Sequence, residues 1–149
     1  ALRQRVDDLA VLIELGQADV CTTCRAQGAS RENRADGMNL FDAVQEALWA
    51  AENEAGEALK VQLRGQGCMS GCNRACTAAV QGVGKWTYYW GDLAPEAETA
   101  EQLIACALMH QRSADGELEW KTRPARLRSG VLARLPATAA TAVVVAGRV

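Results

Sequence analysis

A chain of 149 residues, 49% hydrophobic and 23% charged, has the size and mixture of one globular domain that can bury a core without covalent staples. Sixteen basic against eighteen acidic side chains leave a formal charge of −2, so no single-sign field marks a nucleic-acid binder. No run approaches the ~18 consecutive apolar residues of a membrane helix, and Asp7, Asp8 and Glu14 interrupt what a secretory signal would need apolar, so a cytoplasmic protein is expected.

In chain order, Leu2, Val6, Leu9, Leu12 and Ile13 recur at helical steps, which predicts an amphipathic helix over 1–16 ending at Gly16. Gln17–Val20 reads as a short strand running into Cys21-Thr22-Thr23-Cys24, followed by a polar loop from Arg25 to Gly37. Leu40, Phe41, Val44, Leu48 and Ala51 mark a helix over Met38–Ala51, with Asp36 or Asn39 placed to cap it. Ala58–Arg64 alternates like a strand and leads into a glycine-bearing loop, Gly65–Cys76, holding three cysteines. Thr77–Gln81 and Lys85–Trp90 flank a Gly-Val-Gly turn and predict a hairpin. Its rings Trp86, Tyr88 and Trp90 share one face, either as core or with one ring shielding a nearby centre. A helix over Glu96–Arg112 follows, with an acidic first turn and His110 as a partly solvated cap near its end. Ala125–Leu135 reads as a short basic helix through Leu127, Val131 and Leu135, its arginines either a solvated face or a docking surface. Residues 137–149 form an Ala/Thr-rich extension, read as an added strand or a tail. The order strand, helix, strand, hairpin, helix predicts an α+β fold, a mixed sheet with a β-α-β unit, over 17–136.

Six cysteines are the informative excess, and five of them fall in two clusters. Without an export signal, metal or redox chemistry is expected rather than disulfides. Cys21 and Cys24 form one close pair, Cys68 and Cys72 another, and a short loop aims two sulfurs at one centre. In a right-handed β-α-β unit the two strands are parallel, so Cys21 and Cys68 leave the sheet at the same end. Sulfurs 44 to 51 positions apart in sequence are then expected to meet in space. Cys76 is an alternative to Cys24 as ligand, a thiol that supports the ligands from beside them, or a small buried residue, and Cys106, between Ala105 and Ala107, is expected in the core.

The run Cys68-Met-Ser-Gly-Cys72, the hairpin and the helix resemble the second half of the thioredoxin-like [2Fe-2S] ferredoxins. More closely, Val20-Cys-Thr-Thr-Cys-Arg25, Asp36-Gly-Met-Asn-Leu40, Cys68–Cys76, Gly84-Lys-Trp-Thr-Tyr88 and Gly91-Asp-Leu93 resemble a bacterial family of predicted metal-binding proteins, over roughly Val20–Pro136. Some members of that family lie beside cobalamin-synthesis and cobalt-handling genes. The resemblance implies a thioredoxin-like ferredoxin fold, a [2Fe-2S] cluster on Cys21, Cys24, Cys68 and Cys72, and single-electron transfer to a protein redox partner. It also implies a homodimer, for which the stripe of residues 1–15 or the Val143–Val145 run offers apolar contact. The chain departs from the ferredoxins in its two-residue first spacer and in Cys76.

Ligand type alone does not separate iron from zinc, so a structural zinc module on the same four sulfurs stands as the alternative. A third reading is a thiol–disulfide protein using Cys21 and Cys24. It leaves Cys68 and Cys72 idle, and the next helix begins about a dozen residues after Cys24, too far along the chain to be expected to lower a thiol pKa. No acid–base pair, phosphate loop or nucleophile–base arrangement is present, which points away from an independent enzyme.

Overall fold

The computed structural model describes residues 1–138. The elements are α1 (Leu2–Glu14), β1 (Gly16–Cys21), α2 (Asp36–Ala55), β2 (Val61–Gln66), β3 (Ala78–Gln81), β4 (Thr87–Trp90), α3 (Ala97–Arg112) and β5 (Val131–Leu135). One five-stranded sheet has the order β2-β1-β3-β4-β5. The β1–β2 pair is parallel and every other pair is antiparallel. This is the expected mixed α+β architecture, with β1-α2-β2 as the crossover unit.

Alternation along the strands sets the core. Ala18, Val20, Ala78, Val80, Tyr88 and Trp90 are buried together with Leu40, Val44 and Leu48 of α2 and with Leu103, Ile104 and Ala107 of α3. Tyr88 and Trp90 stack with centroids 5.7 Å apart, and the Trp90 indole N–H donates to the Leu127 carbonyl at 2.9 Å. The opposite face of the sheet carries polar side chains. Asp19, buried there, accepts hydrogen bonds from Arg64 Nε at 2.9 Å, Gln17 Nε2 at 3.0 Å and Gln81 Nε2 at 2.5 Å. A buried carboxylate is tolerated because its oxygens are satisfied.

Several boundaries differ from expectation. Helix α2 begins at Asp36 and ends at Ala55, and Asp36 does not cap it. Its carboxylate instead accepts the Ala26 N–H at 2.7 Å, closing the polar loop onto the helix. Strand β2 starts three residues late, because the Leu59 N–H is taken by the Glu52 carboxylate at 3.0 Å rather than by the ladder. The predicted basic helix over 125–135 is absent: Ala125–Leu127 makes a 3₁₀ turn, and Val131–Leu135 is strand β5, paired to β4. Its arginines serve the fold. Arg123, buried, donates to the carbonyls of Leu118 and Leu127, and Arg128 donates to those of Arg123 and Lys121. Beyond Ala137 and Thr138, the predicted extension lies outside the described residues. Among the described residues, no helix is long and apolar enough to cross a membrane.

His110 is fully buried rather than a partly solvated cap. Its Nε2 lies 2.5 Å from the Trp86 carbonyl, which fixes that nitrogen as the donor, and Nδ1 has no partner. Burial lowers its pKa, and the nearby Lys85 ammonium adds to the effect. A depressed native pKa means the unfolded chain binds the proton first, so stability is present above pH ~6.5 and is lost as pH falls below it. We expect thermal unfolding to show a loss of at most about 1.4 kcal/mol per pH unit from this group on acidification below pH ~6.5. His110→Leu should be less stable at neutral pH but flatter across that window; an unchanged slope would assign the effect elsewhere.

Candidate metal centre

The two cysteine pairs meet at the carboxyl end of the parallel pair. Cys21 is the last residue of β1 and faces Gln66, the last of β2, so Cys68 follows two residues beyond the same edge. The Thr22 N–H and Oγ1 both donate to the Gln66 carbonyl, at 2.8 and 3.1 Å, and clamp the two loop entrances.

Thr23 then joins the loops. Its Oγ1 accepts the Cys68 N–H at 3.0 Å and lies 3.6 Å from Cys21 Sγ. With the oxygen accepting from Cys68, the hydroxyl hydrogen is available to the Cys21 sulfur. Thr77 does the equivalent for Cys24, its Oγ1 3.5 Å from that sulfur. Across the opening, Cys68 Sγ and Cys72 Sγ are 3.8 Å apart. Two thiolates on one tetrahedral metal with ~2.3 Å metal–sulfur bonds are separated by about that distance. Cys21 and Cys24 are buried, whereas Cys68 and Cys72 are exposed.

The second loop is shaped by contacts sequence reading did not find. Tyr89 Oη donates to the Met69 carbonyl at 2.8 Å. It is thus Tyr89, on the face opposite Tyr88 and Trp90, that touches the cysteine loop. Gly71 passes so close that a Cβ would lie 2.4 Å from Tyr89 Oη and 2.5 Å from Thr77 Cγ2. Cys68 and Ser70 take φ of 60° and 64°, the left-handed region that non-glycine residues rarely adopt. Backbone outliers of this kind concentrate at ligand clamps.

The first loop is held from below by α2. The Gly37 N–H donates to the Cys24 carbonyl at 2.9 Å, and a Cβ at Gly37 would lie 2.0 Å from the Cys21 oxygen. The helix that is remote along the chain is therefore adjacent in space, but its Gly37 amide serves the loop backbone rather than a sulfur, and the groups that lower the Cys21 pKa are Thr23, Cys24 and Met69.

The local fields separate the thiols. Burial disfavours the Cys21 thiolate, but hydrogen bonds from the Thr23 hydroxyl, Cys24 and the backbone N–H groups of Met69 and Thr23 outweigh it and bring its pKa down to about 7. Burial pushes Cys24 up. Cys72 is pushed up by its hydrogen bond to Cys68. Burial, reinforced by the Cys24 charge, pushes Cys76 up to about 12, and burial does the same for Cys106. Arg74 pairs with Asp92, and Arg25 donates to the Ser30 and Asn33 carbonyls, so both arginines are engaged away from the sulfurs. Among the described residues, no three metal-ligating side chains gather around a single point; the sulfurs are arranged as two neighbouring pairs.

An α+β domain with two cysteine loops at one sheet edge is the class that this fold and site define. The chain belongs to a family of proteins of unknown function, DUF1636, whose model matches residues 19–137. It has no match among curated proteins. Among solved structures it is similar to a thioredoxin-like [2Fe-2S] ferredoxin from Aquifex aeolicus, at 15% identity, a TM-score of 0.47 and coverage of 80% of this chain and 92% of that one. A second structure, of the wild-type thioredoxin-like [2Fe-2S] ferredoxin from the same organism, gives 17% identity, a TM-score of 0.46 and coverage of 80% and 97%.

In metal-free protein, thiolate ultraviolet absorbance should rise with a midpoint near pH 7 that Cys21→Ser removes, because Cys21 deprotonates as pH rises through its lowered value of about 7. Thr23→Val should move that midpoint upward by about one unit, the worth of one hydrogen bond to a charged sulfur, and Thr23→Ser should not. An unmoved midpoint in Thr23→Val would remove the assigned hydroxyl donor.

Proposed function

We propose that the chain is an electron carrier that holds a [2Fe-2S] cluster through Cys21, Cys24, Cys68 and Cys72. The observation that carries this reading is the meeting of two distant sulfur pairs at one sheet edge, Cys68 and Cys72 at 3.8 Å and the Cys21 sulfur hydrogen-bonded to both Cys24 and the Met69 amide. The donor set fits the group: four thiols, two per loop, with hydroxyl and amide hydrogens already directed at sulfur. When bound, the cluster supplies reversible one-electron oxidation and reduction. Cys21 and Cys24 would hold the buried iron, with Thr23 and Thr77 donating to their sulfurs and so favouring the more negative, reduced state. Cys68 and Cys72 would hold the outer iron on the exposed loop, where a protein partner comes near enough to exchange electrons. The acceptor is read as an enzyme, in cobalamin or cobalt metabolism on the strength of the family resemblance, and the site of action as the cytoplasm.

The arrangement in pairs favours this reading over a zinc module. One zinc ion needs all four sulfurs mutually about 3.8 Å apart, whereas a binuclear cluster takes two thiolates on each iron. A thiol–disulfide reaction at Cys21 and Cys24 leaves the Cys68–Cys72 pair and the Thr23 bridge without a role.

Anaerobically isolated protein should be coloured, with two irons and two sulfides per chain. Serine at Cys21, Cys24, Cys68 or Cys72 should lower cluster occupancy severely, and serine at Cys76 or Cys106 should leave it near wild type. A colourless protein with one zinc per chain would reject the cluster, and loss at Cys76→Ser with retention at Cys24→Ser would exchange those two ligands.

A further inference from the structure

Two apolar surfaces of this chain face solvent, and their lengths and charges correspond. Helix α1 presents Leu2, Val6, Leu9 and Ile13, which are 78%, 60%, 56% and 45% exposed. At 100° per residue these four fall within an arc of about 60°. Arg3 and Arg5, both exposed, flank the arc on its two sides, while Asp7, Asp8 and Glu14 lie away from it. Among the described residues, the helix is held at its end, where Glu14 pairs with Lys60 at 2.8 Å and the Glu14 carbonyl accepts from Gln111 Nε2 at 3.2 Å.

The second surface is a groove between α2 and α3 on the outer side of the helix layer. Its floor is apolar and low, with Ala47, Ile104 and Leu108, so a helix can approach closely. Its rims are acidic, Glu46 and Glu54 on α2 and Glu101 on α3. Along α2 the groove runs from residue 43 to 54, about 17 Å, against about 20 Å for α1. An apolar stripe with an arginine on each side thus meets an apolar trough with carboxylates on each side.

The chain's own α1 cannot fill its own groove. Only Leu15 separates α1 from β1, and one residue spans about 3.5 Å. The groove lies beyond the helix layer, which is itself about 10 Å thick. We propose that the groove seats α1 of a second copy of the chain, exchanged reciprocally in a two-fold dimer. No part of this depends on the sulfur centre.

Sedimentation of the full chain across a wide concentration range tests it. The expected result is a dimer that dissociates more readily in high salt. Arg3→Glu with Arg5→Glu should weaken it about tenfold, and adding Glu46→Lys and Glu101→Lys to that pair should restore it. Ala50→Trp, at an exposed groove position, should block the seat and weaken association similarly while leaving the circular dichroism unchanged. A chain that stays monomeric at every concentration overturns the proposal. So does a dimer indifferent to the groove substitutions, which would show α1 helices pairing with each other. Were Ala50→Trp to unfold, the charge exchange alone would decide: restoration supports the groove and failure to restore rejects it.

Discussion

The parallel register of β1 against β2 is the constraint on which the sulfur-bearing end depends. Cys21 opposite Gln66 brings two loops, more than forty residues apart in sequence, to the same height at the same edge. Period-two alternation makes the register strict: a slip of one residue would turn Cys21 from the polar face to the helix-packed face and carry Ala18 and Val20 out of the core. Burial of Ala18 and Val20 at 0% exposure therefore stabilises the placement of the sulfur at the end of the same strand. The core fixes the site through the strand, and Cys21 and Cys24 are themselves packed into it.

Register brings the loops near, and short polar side chains complete the join. Thr23 takes an amide hydrogen from one loop and is left with its own hydrogen for a sulfur of the other. Tyr89 reaches the second loop from β4, three strands across the sheet from the β2 strand that leads into it. Glycine at 37 and 71 is what lets α2 and Thr77 come close enough to support the loops from below and behind, because a single added carbon at either position would overlap an atom already there. These are contacts between backbone and small side chains. They keep the sulfurs' surroundings rich in hydrogen-bond donors while Cys21 and Cys24 stay out of water.

How much of this is legible in the sequence follows from what each signal encodes. The α2 stripe, the hairpin and the two cysteine pairs are periodic or local, and each reads directly. Strand β5 does not, because Leu127, Val131 and Leu135 recur every fourth residue, a step that satisfies both a helix of 3.6 and a strand of 2. The 3₁₀ turn and the pairing to β4 decide between them, and pairing is a tertiary fact. His110 misleads for a related reason: its position near a helix end predicts solvent, but the 113–118 segment folds over it, with Gly116 against Nε2. The roles of Thr23, Thr77 and Tyr89 were hidden because threonine and tyrosine beside a strand ordinarily signify strand propensity alone. The one signal available was that Thr23 sits inside the Cys21–Cys24 spacer, where a hydroxyl has little to do unless it serves a neighbouring sulfur or amide. The nearness of α2 to Cys21 was likewise invisible, since distance along the chain says nothing once a polar loop folds back through Asp36 and the Ala26 amide.

The two ends of β1 divide the molecule's tasks. Its carboxyl end delivers Cys21 to the sulfur loops, and its amino end, about 17 Å away at strand spacing, receives α1. The α2–α3 groove lies on the side of the sheet opposite Tyr89 and the cysteine loop it holds. Association through α1 would therefore cover the outer helix layer and leave Cys68 and Cys72 facing solvent. On the proposed reading, in which a redox partner approaches that exposed loop, pairing on the far side leaves the approach open. If both proposals hold, self-association and sulfur chemistry fall on surfaces built from different residues, the groove from α2 and α3 and the centre from the two cysteine loops.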